Sequence, residues 1–233
     1  MSEAASIPRD AATVIVARDG TDGLEVFLLR RSASSAFAPD QYVFPGGGVD
    51  AGDDMVAGGP DTEHTLRIAA IRESFEEAGI LFVRPAPDAA TVSAARARAL
   101  AERAAFGDVL AWLGVAPDVT ALVPFSRWIT PAGQTRRFDA RFYVARLPTR
   151  QEAIADAHET HDGVWLSPKS ALERYRRGEL AMIFPTVKHL ERIAPYMLLD
   201  DLEAFARSKS ITPVMPSTHD GALGIAPELE DQW

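Results

Sequence analysis

Three glutamates lie close together in the first half of the chain, at Glu73, Glu76 and Glu77. On a helix, with about 100° between successive residues, this spacing places the three carboxylates within a sector of about 100°. Like charges at i, i+3 and i+4 repel one another and cost helix stability. A divalent cation such as Mg²⁺ or Mn²⁺ takes several oxygen ligands, so it would bind to these carboxylates and remove the repulsion between them. A solvated acidic face is the alternative, and the helix alone does not decide between the two.

The opposite face of the same predicted helix is apolar, which favours packing on a sheet. We predict this helix over Asp61–Ala78, with Asp61 or Thr62 as its cap and Gly79 at its end. The apolar positions on the wheel are Ile68, Ile71, Phe75 and Ala78.

A glycine loop precedes the acidic helix and lowers the odds of a merely solvated face. The short strand Tyr42–Phe44 runs into Pro45 and then Gly46, Gly47 and Gly48. Glycines allow close approach to the backbone, and their carbonyls can add an oxygen ligand. The loop and the acidic helix together therefore favour a cation site more strongly than either does alone.

The elements that must position these residues alternate between strands and helices, which predicts an α/β or α+β domain. We expect a tail over residues 1–10, the domain over residues 11–209, and an irregular tail over residues 210–233. A helical unit is expected at about 85–117, and C-terminal helices at about 168–209; Ala51–Pro60 is expected to be a loop. Further predicted strands are Thr13–Arg18, Leu24–Arg30, Ile80–Val83, Leu122–Thr130, Phe138–Leu147 and Gly163–Leu166. Further predicted helices are Thr91–Ala105, Val109–Leu113, Pro168–Arg177, Thr186–Ala194 and Leu198–Ser208.

Composition excludes several classes of protein. The 233 residues contain no cysteine, so thiolate nucleophiles and Cys-ligated metal sites are excluded. A net charge of −9 argues against general binding of nucleic acid. No apolar run approaches the roughly 18 residues that cross a membrane. Without a targeting signal at either end, we expect a cytoplasmic protein.

The glycine loop and the acidic helix resemble the box of the Nudix hydrolases, G-x5-E-x7-R-E-U-x-E-E-x-G-U, in which U is a bulky aliphatic residue. Gly47 begins the box, and Arg72-Glu73, Glu76-Glu77 and Gly79-Ile80 complete it. The chain departs from the pattern in three places. Asp53 replaces the first Glu, eighteen residues (54–71) replace seven, and Ser74 replaces an aliphatic residue.

Further segments are similar to the Nudix subgroup that contains the mammalian peroxisomal coenzyme A diphosphatase. The similarity is scattered over most of residues 11–195. The segments that carry it are Leu28–Ser32, Phe37–Pro39, Tyr42–Gly47, Ala70–Ala78, Trp128–Pro131, Arg136–Asp139, Glu159, Trp165 and Pro185-Thr186.

The resemblance implies a mixed β-sheet sandwiched between helices, and Mg²⁺ or Mn²⁺ as the cofactor. It implies that Glu76, Glu77 and the Gly46 carbonyl bind the metal, and that Glu73 is a ligand or the general base, oriented by Arg72 through a forked pair. Glu159 is a candidate further ligand, with an exposed loop acid as the alternative. Candidate contacts to the substrate are Arg30, Arg31, Arg136, Arg137, Arg141 and Gly47, although surface arginines are as good an interpretation for each of these cations.

The implied reaction is hydrolysis of the diphosphate bond in a nucleoside diphosphate linked to another moiety. CoA or acyl-CoA, giving 3′,5′-ADP and (acyl-)phosphopantetheine, is the favoured substrate. ADP-ribose, a dinucleotide or a nucleotide sugar is the alternative, as is a non-catalytic Nudix-like domain that binds a ligand. The helical unit at 85–117 could cap the pocket or form a homodimer contact, and the sequence leaves both open.

Overall fold

The structure is a computed structural model that describes residues 6–35, 38–59, 61–156, 160–219, 222–230 and 232–233, without the side chains of residues 161, 219 and 222. The strands are Arg9–Gly20 (β1), Gly23–Arg31 (β2), Tyr42–Val43 (β3), Gly46–Gly48 (β4), Val83–Arg84 (β5), Ala116–Pro117 (β6), Val123–Ile129 (β7), Phe138–Arg146 (β8), Thr160–Leu166 (β9), Pro213–Val214 (β10), Ser217–His219 (β11) and Ala222–Gly224 (β12). The helices are Ala51–Ala57 (α1), Thr62–Ala78 (α2), Ala89–Glu102 (α3), Phe106–Leu113 (α4), Pro168–Arg176 (α5), Phe184–Ile193 (α6) and Leu199–Ser208 (α7).

The main sheet is mixed and is built around β1. Its strands run in the order β10-β7-β8-β1-β2-β3, while β4 also pairs with β1 and β9 pairs with β2. β1 runs parallel to β8 and antiparallel to β2 and β4. Because β4 carries the glycines, β1 places the glycine loop at the edge of the sheet where α2 ends.

Alternation along β1 divides the interior into two cores. Val14 and Val16 point to one core with α2, α3 and α4, whereas Ile15 and Ala17 point to the other, with residues of α5, α6 and α7. Both faces of the sheet are covered by helices. The predicted fold, a mixed sheet sandwiched between helices, is therefore confirmed. None of the described helices is long and apolar enough to cross a membrane.

Three local predictions were wrong. Residues 46–48, predicted to be a loop, form strand β4 beside β1, and the name glycine loop is kept for Gly46–Gly48. Residues 51–57 form helix α1 rather than a loop, because the Asp53 side chain accepts a 2.8 Å hydrogen bond from the Asp50 amide and so closes the first turn. Residues 80–82 are buried but lie outside a strand, and pairing begins only at β5. β5 pairs with β6, and this pairing closes the base of the unit formed by α3 and α4.

The C-terminal segment, predicted to be irregular, packs against the domain. β10 adds to the main sheet beside β7, and Trp233 is buried in the second core. Trp233 lies edge-on to His189 on α6, with ring centroids 5.2 Å apart. The positions of the domain boundaries, at residues 11 and 209, stay predictions.

We expect stability to fall as the pH decreases from 6.5, because of His189. Burial lowers its pKa to about 3, although the Nδ1–H bond to the Pro185 carbonyl opposes this shift. The unfolded chain binds a proton near pH 6.5, whereas the folded chain does not. At pH 5 this difference should cost about 2 kcal/mol. Urea unfolding at pH 7 and 5 measures it, and His189→Phe should reduce the loss whereas His64→Gln should not; equal pH dependence in all three would contradict the assignment.

Candidate active site

The acidic residues lie on helix α2, which is capped at both ends. The Asp61 side chain accepts hydrogen bonds from the amides of Glu63 and His64, and Gly79 ends the helix in the left-handed conformation (φ 65°). The four apolar positions predicted for the inner face are all buried in the first core. The acids lie near the C-terminus of α2, where the helix dipole disfavours negative charge. The last turn of α2 contains no basic residue that would offset this effect.

Glu77 is held against the glycine loop. Its side chain is only 5% exposed, and Oε2 accepts a 2.9 Å hydrogen bond from the Gly46 amide. Oε1 lies 3.3 Å from Arg31 Nη1. The Glu73 side chain is 14% exposed, so α2 does not present a simple solvated acidic face.

Arg72 is the cation about which the carboxylates are arranged. Its Nε and Nη2 form a fork on Asp53 at 2.9 and 3.0 Å, and Nη2 also donates to the Gly48 carbonyl at 2.8 Å. Nη1 contacts Glu73 at 2.8 Å and Glu76 at 2.9 Å. The forked pair predicted for Glu73 is thus made with Asp53, because Asp53 is buried beside the guanidinium. Burial alone would lower the pKa of Arg72, but the hydrogen bond to Asp53 and the nearby Glu73 and Glu76 charges outweigh it and raise the pKa.

Glu73 packs directly on the α-carbon of Gly47. A Cβ at residue 47 would lie 2.5 Å from Glu73 Oε1 and 2.6 Å from its Cδ, which is closer than real Cβ contacts allow. The absence of a side chain at this position is therefore what lets the carboxylate reach the loop.

Gly47→Ala should lower activity at least tenfold while the protein stays folded. The new methyl group must displace the flexible end of Glu73, and displacement of a reacting group by about 1 Å can cost 10²-fold. kcat and KM on the hydrolysed diphosphate measure the effect. Gly52→Ala is the matched control, because a Cβ there meets nothing within 4 Å. An unchanged kcat in Gly47→Ala would contradict the role given to this contact.

Glu76 lies between the acidic cluster and the helical unit of α3 and α4. Desolvation raises the pKa of its carboxyl, against the lowering effect of Arg72, even though about half of the side chain remains exposed. Its main-chain carbonyl accepts hydrogen bonds from Arg96 Nε at 3.0 Å and Nη2 at 2.6 Å. Arg96 Nη1 also donates to the Ile154 carbonyl at 2.8 Å. Arg96 therefore attaches α3 to the backbone of α2.

A cavity of about 690 Å³ lies between the acids and the helical unit. The acidic side of its lining is Asp50, Glu73, Glu76 and Glu77, and α3 and α4 line the other side. Of the two roles left open for this unit, the structure thus supports a wall of the pocket. Sequence reasoning missed Arg96 and Asp156, which also line the cavity, because neither belongs to a motif.

The predicted substrate-binding arginines are dispersed. Arg31 reaches Glu77, whereas Arg30 contacts Asp40 at 3.2 Å and is 42% exposed. Arg137 donates to the carbonyls of Ser6 and Thr130, and Arg136 is exposed in the turn before β8. Arg141 pairs in register with Ala12 on β1 and Arg127 on β7, and Ala12 in turn pairs with Gly47 on β4. The Asp139 carboxylate forms ion pairs with both Arg127 and Arg141. Glu159 lies outside the described residues.

The donor chemistry of the cluster fits a hard divalent cation, because carboxylate and carbonyl oxygens are the ligands that Mg²⁺ and Mn²⁺ prefer. Across the described ranges, no three Asp, Glu or His side chains already converge as a group that could hold a metal ion. In the arrangement seen, Nη1 of Arg72 provides the positive charge between Glu73 and Glu76. The close approach of the Glu73 carboxylate to the backbone of Gly47 is the geometric feature that is consistent with the predicted metal site.

Comparisons with known proteins agree with this architecture. The model of the NUDT19 Nudix domain matches residues 59–193, and that of the NUDIX domain matches residues 7–109. The acyl-coenzyme A diphosphatase NUDT19 of Gallus gallus is 29% identical over 295 residues, covering 94% of this chain and 78% of the relative. The protein of the same name from Homo sapiens is 27% identical and covers 88% of this chain and 72% of that relative.

A solved structure gives the same answer for the fold. The NUDIX hydrolase from Alicyclobacillus acidocaldarius has a TM-score of 0.73 and 28% identity, covering 85% of this chain and 96% of that chain. The resemblance drawn from the glycine loop and the acidic helix is therefore confirmed. Since the model of the NUDT19 Nudix domain matches more than half of this chain, the chain belongs to the NUDT19 Nudix domain family of Nudix hydrolases.

Proposed function

We propose that the chain is a Mg²⁺- or Mn²⁺-dependent diphosphatase whose substrate is CoA or acyl-CoA, and whose products are 3′,5′-ADP and (acyl-)phosphopantetheine. The observation that carries the proposal is the convergence of α2 on the glycine loop, where Glu77 accepts from the Gly46 amide and Glu73 packs on Gly47. The names of the Gallus gallus and Homo sapiens relatives support the choice of CoA.

In this proposal Glu76 and Glu77 hold the ion, Glu73 is either a further ligand or the general base, and the Gly46 carbonyl and Glu159 are further candidate ligands. When bound, the ion supplies charge neutralisation and orientation of the diphosphate, and lowers the pKa of bound water. Glu73 and Glu76 already share one cationic nitrogen, Nη1 of Arg72, which supports a positive charge held between these two acids.

The residues of the chain then position and deprotonate the attacking water. Arg72 orients Glu73 through the 2.8 Å contact to Oε1, and Glu73 is our candidate to accept the proton. The water oxygen forms a new bond to one phosphorus, the bridging P–O bond breaks, and a phosphate ester leaves. Arg31, whose Nη1 lies 3.3 Å from Glu77 Oε1, is our candidate to contact a phosphate oxygen. Contacts from Arg30, Arg136, Arg137 and Gly47 stay predictions.

A panel of diphosphates tests the proposal. The protein is incubated with Mg²⁺ and, separately, CoA, octanoyl-CoA, ADP-ribose, a dinucleotide and a nucleotide sugar, and products are identified by mass spectrometry. We expect 3′,5′-ADP and phosphopantetheine from CoA, and no turnover when EDTA replaces Mg²⁺. Turnover confined to ADP-ribose would overturn the choice of CoA, and turnover undiminished by EDTA would overturn the metal. A cytoplasmic location and a homodimer stay predictions.

A further inference from the structure

The cavity beside the acids has two chemically different sides. One side carries the carboxylates of Glu73, Glu76 and Glu77. The other side is formed by the helical unit and is largely apolar. Its apolar lining consists of Ala97, Ala99, Leu100, Ala104, Phe106 and Val109, and Ser93, Arg96 and Arg103 are the polar residues of the same wall.

Leu100 is the large apolar side chain that this wall offers to a ligand. It is 61% exposed, whereas Phe106 and Val109, which also line the cavity, are only 7% and 1% exposed. A single exposed leucine on a convex surface would need no explanation. Here the exposed leucine lines a concave site that continues to the catalytic acids, and a volume of about 690 Å³ suits a ligand of substantial size.

The position of this wall relative to the acids is fixed. Arg96, one turn before Leu100, makes hydrogen bonds to the carbonyls of Glu76 and Ile154. The residues of α3 that line the cavity extend from Ser93 to Leu100, a distance of about 10 Å at 1.5 Å per residue, and Arg103 and Ala104 continue the lining beyond the helix. Since the pantetheine arm lies between the diphosphate and the acyl chain, a substrate held at the acids brings its acyl chain to Leu100 when the arm follows this lining.

We propose that Leu100 is a specificity-determining residue that contacts the hydrocarbon chain of acyl-thioester substrates. This inference rests on the proposed function, because it assumes that the diphosphate of the substrate lies at the acids. Contact with Leu100 then removes apolar surface of both the acyl chain and the leucine from water. The acyl chain would thus raise kcat/KM above the value for free CoA.

The test compares Leu100→Asp with the unaltered chain on octanoyl-CoA and CoA. A carboxylate at this position cannot share apolar contact with the chain, and loss of contact with about two methylenes corresponds to about a tenfold fall in the ratio of the two kcat/KM values. Leu198→Asp is the matched control, because Leu198 is a 55% exposed leucine that does not line the cavity. Thermal melting shows that the variants are folded.

A second readout keeps the inference separate from the proposed function. Binding of the uncharged fluorescent probe N-phenyl-1-naphthylamine requires no hydrolysis, and we expect Leu100→Asp to weaken it about tenfold while Leu198→Asp leaves it unaltered. An unchanged ratio and unchanged probe affinity in Leu100→Asp would overturn the inference, as would an equal loss in the control. If neither CoA nor octanoyl-CoA is hydrolysed by the unaltered chain, the proposed function fails and the probe alone decides the role of Leu100.

Discussion

Glu76→Gln should lower kcat on the hydrolysed diphosphate by about a thousandfold, equivalent to about 4 kcal/mol of lost transition-state stabilisation. Glutamine keeps the size of the side chain but removes the negative charge that we assign to the metal. The fold should survive, because Glu76 is half-exposed and Arg72 keeps Asp53 and Glu73 as partners. Steady-state kinetics at saturating substrate and Mg²⁺ measure the loss.

Glu173→Gln is the control for this variant, because Glu173 is an exposed glutamate on α5, outside the cavity. Its kcat should equal that of the unaltered chain. A Glu76→Gln protein that kept full kcat at low Mg²⁺ would show that Glu76 does not hold the ion, and the assignment of the metal site would have to be abandoned.

Asp53→Ala should lower the free energy of unfolding by about 4 kcal/mol, because it leaves the buried guanidinium of Arg72 without its forked partner. It also removes the acceptor for the Asp50 amide at the start of α1. Urea denaturation measures the change. Asp54→Ala is the neighbouring control: Asp54 is exposed and makes a single 2.7 Å bond to the Thr65 hydroxyl, so its loss should cost about 1 kcal/mol.

A double variant separates the stability role of this pair from its role in the site. Asp53→Leu with Arg72→Met replaces both charged partners by apolar groups of similar size, which should recover most of the lost stability. Activity should stay low, because Glu73 and Glu76 no longer share the contact with Arg72. If the single Asp53→Ala variant unfolded at the same urea concentration as the unaltered chain, the buried pair would not have the energetic weight that we give it.

Periodicity was sufficient to predict the elements that carry the acids. The apolar positions of α2 repeat at helical spacing, and the β-branched, apolar run at 13–18 predicts strand β1, whose alternation in the structure sends Val14 and Ile15 to opposite cores. Both patterns depend only on local geometry and burial. For this reason the bounds of α2 differ from the prediction by a single residue.

Features that depend on contacts between distant residues could not be predicted in the same way. The glycines and aspartates of residues 51–60 favour a loop, yet the bond between Asp53 and the Asp50 amide closes a helix there. The partner of the Arg72 fork is 19 positions away in sequence, and no periodicity indicates which carboxylate will be buried beside the guanidinium. The cavity wall likewise depends on how α3 meets α2 in space.

Because α3 is attached through main-chain carbonyls, the shape of the cavity wall and the identity of the acidic side chains can change independently in evolution. Arg96 recognises the peptide oxygen of residue 76, which any amino acid at that position supplies. Changes along the helical unit that keep Arg96 can therefore reshape the cavity for new molecules without disturbing the acids that we propose as the catalytic site. A modular arrangement of this kind lets a single catalytic scaffold change its substrate range while its chemistry stays the same.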